Sequence, residues 1–303
     1  MKKDYRGRFA PSPTGPLHFG SLVCAVASYL DAKSNNGKWL IRIDDLDKPR
    51  CIKGMDKNIL DLLETCGMQW DEDISYQSQN IAAYENALDI LHKENFVYSC
   101  GCSRKEIASI AKTGTDGPIY PGTCRNGLTG NKVERSIRLR CPNKPVDVLD
   151  RIQPDLIQDL AKEVGDIVIK RADGLFAYQL AVVVDDKLQG INNVVRGSDL
   201  MDSTPRQCWL HEALDYSLPA YAHIPVASYP DGRKLSKQTR AKEITPDKLL
   251  SHLVNALDFL NQEPDSSLIE GDLNSFLNWA INNWSIDKVL STRNILLNTD
   301  SPY

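Results

Sequence analysis

Apolar and polar residues alternate in short blocks between residues 6 and 66, and the blocks predict strands and helices in turn. A run closed by prolines predicts a strand at 6–11, and a β-branched run predicts another at 39–43. Apolar residues recur at helical spacing over 21–33 and 56–66, which is typical of amphipathic helices. Strands that alternate with helices indicate βαβ units, so an α/β fold with a parallel sheet is expected.

The pattern changes over 97–164, where cysteine, glycine and proline become frequent and the helical periodicity weakens. This change predicts an inserted subdomain. Apolar, β-rich runs then return, as expected of buried parallel strands; they lie at 167–170, 178–184, 193–195 and 223–226. Beyond residue 245 the pattern predicts helices to the end of the chain, at 246–260, 273–282 and 286–297.

Composition narrows the class of protein. Of the 303 residues, 42% are hydrophobic and 25% are charged, which are ordinary globular values and argue against a disordered chain. No stretch approaches the roughly 18–20 apolar residues that a membrane span needs. Residues 1–7 show no apolar signal region, so a cytoplasmic location is expected. The formal net charge of −4 gives no support for general nucleic-acid binding, which would need a local basic patch.

The first candidate for chemistry is the segment 8–21, where a predicted strand leads through a Pro- and Gly-rich turn into a helix. A helix N-terminus presents free backbone N–H groups and a partial positive charge to a phosphate. Gly20 leaves room for a flat base against the backbone, and His18 offers a hydrogen bond to phosphate as charge develops on it. The alternative is an ordinary strand–helix connection with an incidental histidine.

The second candidate is the loop 232–238, Gly-Arg-Lys-Leu-Ser-Lys-Gln, in which Lys234 and Lys237 flank Ser236. A mobile loop that carries lysine can close on a triphosphate and stabilise the transition state in which pyrophosphate leaves. Taken alone, the string is more typical of a solvated basic loop.

The strings at 10–15 (Ala-Pro-Ser-Pro-Thr-Gly), 18–21 (His-Phe-Gly-Ser) and 234–238 (Lys-Leu-Ser-Lys-Gln) together resemble the paired signatures of class I aminoacyl-tRNA synthetases. The resemblance implies a Rossmann-like parallel-sheet catalytic domain, in agreement with the βαβ pattern. It also implies that His18 and Gly20 bind ATP, and that Lys237 acts on its phosphates with Ser236 and Lys234 in support. Magnesium is expected to accompany ATP as substrate. Many class I enzymes carry a second histidine at the position of Ser21.

The string Arg-Ile-Asp-Asp-Leu-Asp at 42–47 resembles Arg-Ile-Glu-Asp-Thr-Asp of the glutamyl and glutaminyl synthetases, which implies that Asp44 meets the substrate α-amino group. The same resemblance implies further glutamate-binding residues, namely Arg8, Ala10, Ser12, Tyr178 and Arg196. Arginines suit the recognition of carboxylates, since a guanidinium presents paired donors in a planar fork. Without the family, these positions would be interpreted as a solvated turn, a core tyrosine and a surface charge.

Three of the eight cysteines, Cys100, Cys102 and Cys124, lie close together in the sequence. In a reducing compartment such crowding suggests a metal rather than a disulfide, and three thiolates supply most of a tetrahedral zinc site. From the spacing alone, water could complete the site, or the three thiols could be free. The order Cys-x-Cys then Tyr-x-x-x-Cys resembles the glutamyl-queuosine tRNA(Asp) synthetases, which implies that Tyr120 is the fourth ligand of a structural zinc.

The resemblance to that family extends over nearly all of residues 6–240. It implies that the protein activates glutamate with ATP and transfers it to the queuosine base in the anticodon loop of tRNA(Asp), and we expect a monomer away from membranes. The expected organisation is a first catalytic half, a zinc-bearing insertion, a second catalytic half and a helical tail, at 1–96, 97–165, 166–244 and 245–303. Three alternatives stay open: a compact glutamyl-tRNA synthetase that charges tRNA(Glu), a synthetase-like protein that binds tRNA without transfer, and a small-molecule adenylate-forming ligase of related fold.

Overall fold

The computed structural model describes residues 4–114, 117–128, 130–229, 244 and 248–297. The predicted loop residues Lys234, Ser236 and Lys237 lie outside the described residues. No helix in the described part of the chain is long and apolar enough to cross a membrane.

The described elements follow in three groups along the chain. The first group comprises β1 (Arg6–Phe9), α1 (Phe19–Ser34), β2 (Lys38–Ile43), α2 (Met55–Thr65), β3 (Ser75–Tyr76) and α3 (Ile81–Lys93). The second comprises β4 (Val97–Cys100), α4 (Arg104–Ile110), β5 (Thr113–Gly114), β6 (Gly117–Pro118), β7 (Ser136–Leu139), β8 (Val146–Val148), β9 (Leu156–Gln158), α5 (Leu160–Glu163) and β10 (Ile167–Lys170). The third comprises α6 (Tyr178–Leu188), β11 (Asn193–Gly197), α7 (Thr204–Ala213), β12 (Ala220–Ile224), β13 (Val226–Ser228), α8 (Leu249–Phe259), α9 (Leu273–Asn283) and β14 (Asn294–Leu296).

Parallel strands form the centre of the fold, as the sequence predicted. β1 pairs in parallel with β2, and β2 with β3. β11 and β12 form a second parallel pair. The backbone N–H of Asn192 donates to the carbonyl oxygen of Arg6 at 3.0 Å, which places β11 beside β1. The two halves of the sequence therefore meet at the middle of the sheet region.

Helix α1 joins the sheet to the C-terminal helices. It packs against β1, β2 and β11 on one side and against α8 and α9 on the other. Its residues from Ala25 to Ala32 are all buried, and Leu22, Val26 and Leu30 line up at the four-residue spacing of one helix face. The α/β prediction is confirmed, and so are the predicted helices at 246–260 and 273–282, which correspond to α8 and α9.

The predicted strand at 178–184 is wrong. The segment begins α6, and its residues from Leu180 to Asp186 are all buried. A helix that is buried all round shows no amphipathic period, so its valine-rich sequence looks the same as a buried strand. Tertiary packing against α3 and α7 decides between the two.

The other corrections concern strand partners and the chain end. β10 was predicted as a central parallel strand, but it pairs antiparallel with β7, which also pairs antiparallel with β4. This sheet crosses the predicted boundary at residue 165. The predicted strand at 223–226 is divided between β12 and β13 at Pro225, which has no N–H to donate. The predicted helix at 286–297 is wrong, because its end forms β14, which pairs in parallel with β13.

Candidate active site

A cavity of about 270 Å³ lies where β1, β2, β11 and β12 end. Ligands of open α/β sheets bind at this carboxyl edge. The lining includes eight of the residues predicted from the sequence: Arg8, Ala10, Ser12, His18, Gly20, Asp44, Tyr178 and Arg196. The fold therefore brings the predicted ATP-binding and glutamate-binding residues of the described chain into one place.

The N-terminus of α1 forms one wall of this cavity. His18 is the N-cap residue of the helix, and its Nδ1 accepts a hydrogen bond from the backbone N–H of Ser21 at 3.4 Å. Because Nδ1 accepts, a neutral His18 carries its proton on Nε2, where it is a donor. The first turn of α1 holds no acidic side chain that would oppose the partial positive charge of the helix end. This wall is suited to a phosphate group.

Arg8 and Arg42 line another part of the cavity and share one buried carboxylate. Arg8 Nε donates to Asp186 Oδ1 at 3.2 Å, and Arg42 Nη1 donates to the same oxygen at 2.5 Å. All three side chains are buried. Burial raises the pKa of Asp186, but the two arginines together hold it below its ordinary value. Asp186 is therefore ionised at neutral pH and holds both guanidinium groups in place.

Arg42 also connects to a second and a third carboxylate. Its Nε donates to Asp44 Oδ1 at 2.8 Å and lies 3.7 Å from Asp185 Oδ2. Asp185 is fixed by three further donors at 2.8 Å, from Gln77, Asn80 and Tyr84. Burial raises the pKa of Asp185 and raises that of Asp44 to about 6. Asp44 is thus an ionisable group at the cavity that titrates near neutral pH.

Arg196, in β11, is buried with one donor unused. Its Nε donates to His223 Nε2 at 3.0 Å, and its Nη2 donates to Thr204 Oγ1 at 2.8 Å. Nη1 is buried and has no hydrogen-bond partner in the described part of the chain. A buried donor without an acceptor costs about 1–3 kcal/mol, and more when it is charged. Since Arg196 lines the cavity, an anionic oxygen of a bound molecule would remove this cost.

Tyr178 reaches the cavity because it is the first residue of α6. Its side chain is partly exposed, in contrast to the fully buried residues that follow it. The neighbouring Gln179 does not line the cavity. Gln179 Nε2 donates to Ser203 Oγ at 3.1 Å, and Gln179 Oε1 accepts from Gln207 Nε2 at 2.9 Å. The helix therefore directs the tyrosine to the ligand space and uses the glutamine to hold α6 against its neighbours.

Three thiols of the insertion form a compact cluster outside the cavity lining. The Sγ atoms of Cys100, Cys102 and Cys124 all lie within 4.8 Å of one another and are buried. The hydroxyl oxygen of Tyr120 is 3.3 Å from Cys100 Sγ and 3.8 Å from Cys102 Sγ. Cys102 Sγ and Cys124 Sγ are 3.6 Å apart. This separation is close to the ~3.8 Å edge of a tetrahedron with zinc–sulfur bonds of about 2.3 Å, so the thiol cluster could hold a metal ion.

Comparison with known proteins places this site in a family. Residues 4–263 match the family model described as tRNA synthetases class I (E and Q), catalytic domain. The chain belongs to this family. The synthetase is 51% identical over 299 residues to a Dechloromonas aromatica protein named glutamyl-Q tRNA(Asp) synthetase, covering 98% of this chain and 99% of that protein. A Thiobacillus denitrificans protein of the same name is 49% identical, with 93% and 94% covered.

Solved structures share the fold of the synthetase. A crystal structure of a glutamate tRNA ligase from Elizabethkingia meningosepticum superposes with a TM-score of 0.81 at 22% identity, covering 98% of this chain and 68% of that one. A glutamate-tRNA synthetase from Elizabethkingia anophelis superposes with a TM-score of 0.80 at 23% identity. The class I catalytic fold predicted from the sequence is thereby confirmed.

Five residues of the synthetase shape the site although no role was predicted for them: Arg42, Asp150, Asp185, Asp186 and His223. Asp185 and Asp186 follow three valines, and this pattern could have indicated a buried charge network, because carboxylates are rarely buried without a partner. Asp150 and His223 carry no comparable signal. Their partners lie far away in the sequence, so only the fold shows the pairing.

Proposed function

We propose that this synthetase is an ATP-dependent ligase that activates L-glutamate as glutamyl-adenylate and transfers it to the queuosine base in the anticodon loop of tRNA(Asp). The observation that carries the proposal is the nearly full-length similarity, at 51% and 49% identity, to relatives named glutamyl-Q tRNA(Asp) synthetase. The cavity supports it, since glutamate and ATP together require cationic groups, a carboxylate and a phosphate-binding helix end.

In this proposal the substrate glutamate lies among the charged residues of the cavity. Arg8 and Arg196 bind its carboxylates, and the unused Nη1 of Arg196 supplies one of the donors. Asp44 binds the α-ammonium group when it is ionised. Ala10, Ser12 and Tyr178 complete the surface around the substrate. All of these residues line the same cavity. In the proposal, ATP lies beside glutamate and contacts His18 and Gly20.

The first step joins glutamate to the α-phosphate of ATP. A carboxylate oxygen attacks the α-phosphorus, the bond from that phosphorus to the bridging oxygen breaks, and pyrophosphate leaves. His18 Nε2–H donates to the phosphate as negative charge builds on it. Lys237, supported by Lys234 and Ser236, stabilises the departing phosphates, a role that comes from the sequence resemblance. Magnesium bound with ATP would neutralise part of the phosphate charge.

The second step transfers the activated glutamyl group. A hydroxyl of the queuosine cyclopentene ring attacks the activated carbonyl carbon, and an ester bond forms. The bond from that carbon to the adenylate oxygen breaks, and AMP leaves with the electron pair. The adenylate phosphate accepts the hydroxyl proton, so the chain need not supply a general base. We expect the synthetase to act in the cytoplasm and as a monomer.

The thiol cluster is proposed to hold a structural zinc. Cys100, Cys102 and Cys124 supply three sulfur ligands and Tyr120 supplies an oxygen, a donor set and spacing that fit tetrahedral zinc. The metal would join β4 to the loop that carries Tyr120 and Cys124. Because no residue of the cluster lines the cavity, the zinc would stabilise the insertion and take no part in the chemistry.

Removing one thiol should release the zinc. We expect purified protein to contain about one zinc per chain, and Cys124→Ser to contain far less and to melt roughly 5 °C lower or more. Tyr120→Phe should bind zinc more weakly while it keeps three thiolates. Metal analysis and thermal melting measure both effects. Cys51→Ser, outside the cluster, is the matched control, and equal zinc content in it and in Cys124→Ser would exclude this ligand set.

Asp44 should make glutamate binding depend on pH. Burial raises its pKa to about 6, so the side chain is protonated and loses its negative charge as the pH falls through this value. We expect the KM for glutamate in ATP–pyrophosphate exchange to rise about tenfold between about pH 7 and about pH 5. Asp44→Asn should show a high KM that does not follow pH, whereas Asp47→Asn should keep the wild-type profile. A wild-type KM that stays constant over this range would contradict the role of Asp44.

Lys237→Ala tests the predicted phosphate-binding loop. We expect kcat for ATP–pyrophosphate exchange to fall about 100-fold, with the KM for glutamate little changed, because the lysine acts on charge in the transition state. Lys144→Ala, which removes an exposed lysine paired with Glu212, is the control. Unchanged exchange in Lys237→Ala would remove the loop from the mechanism and favour a protein that binds tRNA without transfer.

Transfer of labelled glutamate tests the whole proposal. The acceptors are tRNA(Asp) with queuosine, tRNA(Asp) without queuosine, and tRNA(Glu). We expect label only on queuosine-bearing tRNA(Asp). Label on tRNA(Glu) instead would make the chain a compact glutamyl-tRNA synthetase. Pyrophosphate exchange without label on any acceptor would reject the transfer step.

A further inference from the structure

Arg196 is held by a chain of hydrogen bonds that ends at an acid outside the cavity lining. His223 Nε2 accepts from Arg196 Nε at 3.0 Å, and His223 Nδ1 lies 2.5 Å from Asp150 Oδ2. The side chains of His223 and Asp150 are fully buried. Arg196 and His223 face each other in register on β11 and β12, whereas Asp150 follows β8. The insertion thus contributes a residue to the support of the predicted glutamate site.

These contacts determine which ring nitrogen of His223 carries the proton. A guanidinium Nε has only a hydrogen to offer, so His223 Nε2 must accept and Nδ1 must carry the proton that is donated to Asp150. Burial lowers the pKa of His223, which favours the neutral ring. Burial raises the pKa of Asp150, but His223 and nearby backbone N–H groups hold it below its ordinary value. The pair is therefore a neutral imidazole beside a carboxylate.

Asp150 is itself fixed by the backbone. Its Oδ1 accepts from the N–H groups of Ile152 at 3.0 Å, Gln153 at 2.8 Å and His223 at 3.2 Å. Only Oδ2 is directed to the imidazole. The carboxylate cannot turn without breaking three hydrogen bonds, so it holds the tautomer of His223 as well as its orientation.

We propose that Asp150 and His223 are positioning residues that hold the Arg196 guanidinium with Nη1 directed to the substrate carboxylate, and so determine the affinity for glutamate. Nε is occupied by His223 and Nη2 by Thr204, which leaves Nη1 as the unused donor. Without the acceptor at His223 Nε2, the guanidinium loses one of its two hydrogen-bond acceptors and its Nη1 loses its fixed direction. The inference rests on the proposed function in taking glutamate as the ligand of Arg196.

Two substitutions at His223 separate its two hydrogen bonds. His223→Gln places an amide oxygen near the former Nε2 and retains an acceptor for Arg196. His223→Asn is one bond shorter, retains a donor for Asp150 and lacks the acceptor. We expect His223→Asn to raise the KM for glutamate in ATP–pyrophosphate exchange about 10-fold to 30-fold, and His223→Gln about threefold or less. The KM for ATP should stay within about twofold in both, because the lost contact is to Arg196.

Asp150→Asn tests the tautomer without altering the histidine. The asparagine oxygen must remain with the three backbone N–H groups, so its NH₂ group faces His223 Nδ1. The ring proton then moves to Nε2, which can donate to Thr204 but offers Arg196 Nε no acceptor. We expect a rise of about tenfold in the KM for glutamate. If the His223 variants do not fold, this variant carries the test.

The outcomes separate the two proposals. Glutamate-dependent exchange in the wild type, with equal KM values in His223→Asn and His223→Gln, would overturn the positioning role alone. A wild-type protein whose exchange does not depend on glutamate would overturn the proposed function and this inference with it. The ¹⁵N chemical shifts of His223 provide a readout that needs no substrate: we expect the Nδ1–H tautomer in the wild type and its loss in Asp150→Asn, and an Nε2–H wild-type ring would overturn the positioning role.

Discussion

Arg196→Lys is expected to raise the KM for glutamate in ATP–pyrophosphate exchange about 100-fold, while the KM for ATP changes little. Arginine donates to His223 and Thr204 and still has Nη1 for a ligand. Lysine carries a single ammonium group and cannot reproduce this planar fork. A 100-fold change corresponds to about 2.7 kcal/mol, within the range of about 1.5–3 kcal/mol for hydrogen bonds to charged groups.

Arg293→Lys is the matched control for this substitution. Arg293 pairs with Asp202 at 3.1 Å, and nearly half of each side chain is exposed, 49% and 42% respectively. Exposed ion pairs contribute little, so the same change there should leave both KM values as in the wild type. An unchanged KM for glutamate in Arg196→Lys would show that the arginine serves the packing of β11 and does not meet the substrate.

Asp186→Asn should destabilise the protein by about 3–5 kcal/mol, measured as the free energy of unfolding in urea. The carboxylate accepts from Arg8 in β1 and from Arg42 in β2, and all three side chains are buried. The amide keeps the shape and removes the charge, which leaves two buried guanidinium groups with less compensation. Because Arg8 and Arg42 line the cavity, the KM for glutamate should rise as well.

Glu72→Gln provides the control for burial. Glu72 also connects a basic side chain of β1 with one of β2. It accepts hydrogen bonds from Arg6 at 2.7 Å and from Lys38 at 2.8 Å. Its side chain is 40% exposed, so water already solvates the charge. We expect a loss of less than about 1 kcal/mol. Equal losses in Asp186→Asn and Glu72→Gln would mean that the buried charge network does not hold β1 and β2 together.

Local pattern was enough for the elements whose ends carry clear stop signals. β1, β2, α1 and α2 formed where the sequence predicted them, although α1 and β2 are buried on nearly all sides. The run 178–184 has no glycine or proline directly at either end. Every residue from Leu180 to Asp186 is buried, so neither a helical nor a strand period was visible. The choice between them depended on α3 and α7, which pack against it.

The candidate site shows the same contrast between features that a short stretch of sequence reveals and features that only the folded structure reveals. The predicted ATP-binding and glutamate-binding residues of the described chain were named from short strings, because a phosphate-binding turn and a carboxylate-binding arginine have local requirements, and these residues share one cavity lining. The supports of these residues could not be named. Asp186 on α6 binds Arg8 on β1, and Asp150 reaches Arg196 only through His223. Such pairs leave no trace in spacing along the chain.

The sequence by itself determined the α/β class, the family, the crowded thiols and a set of candidate binding residues, because each depends on residue types at short fixed spacings. The tertiary structure alone decided that α6 is a helix, that β14 pairs with β13, and that buried acids orient the arginines of the cavity. The physical reason is that burial, together with pairing between residues distant in the sequence, determines the charge and the hydrogen-bond partners of a side chain. A carboxylate becomes a support for Arg8, Arg42 or Arg196 only after folding has removed the water around it.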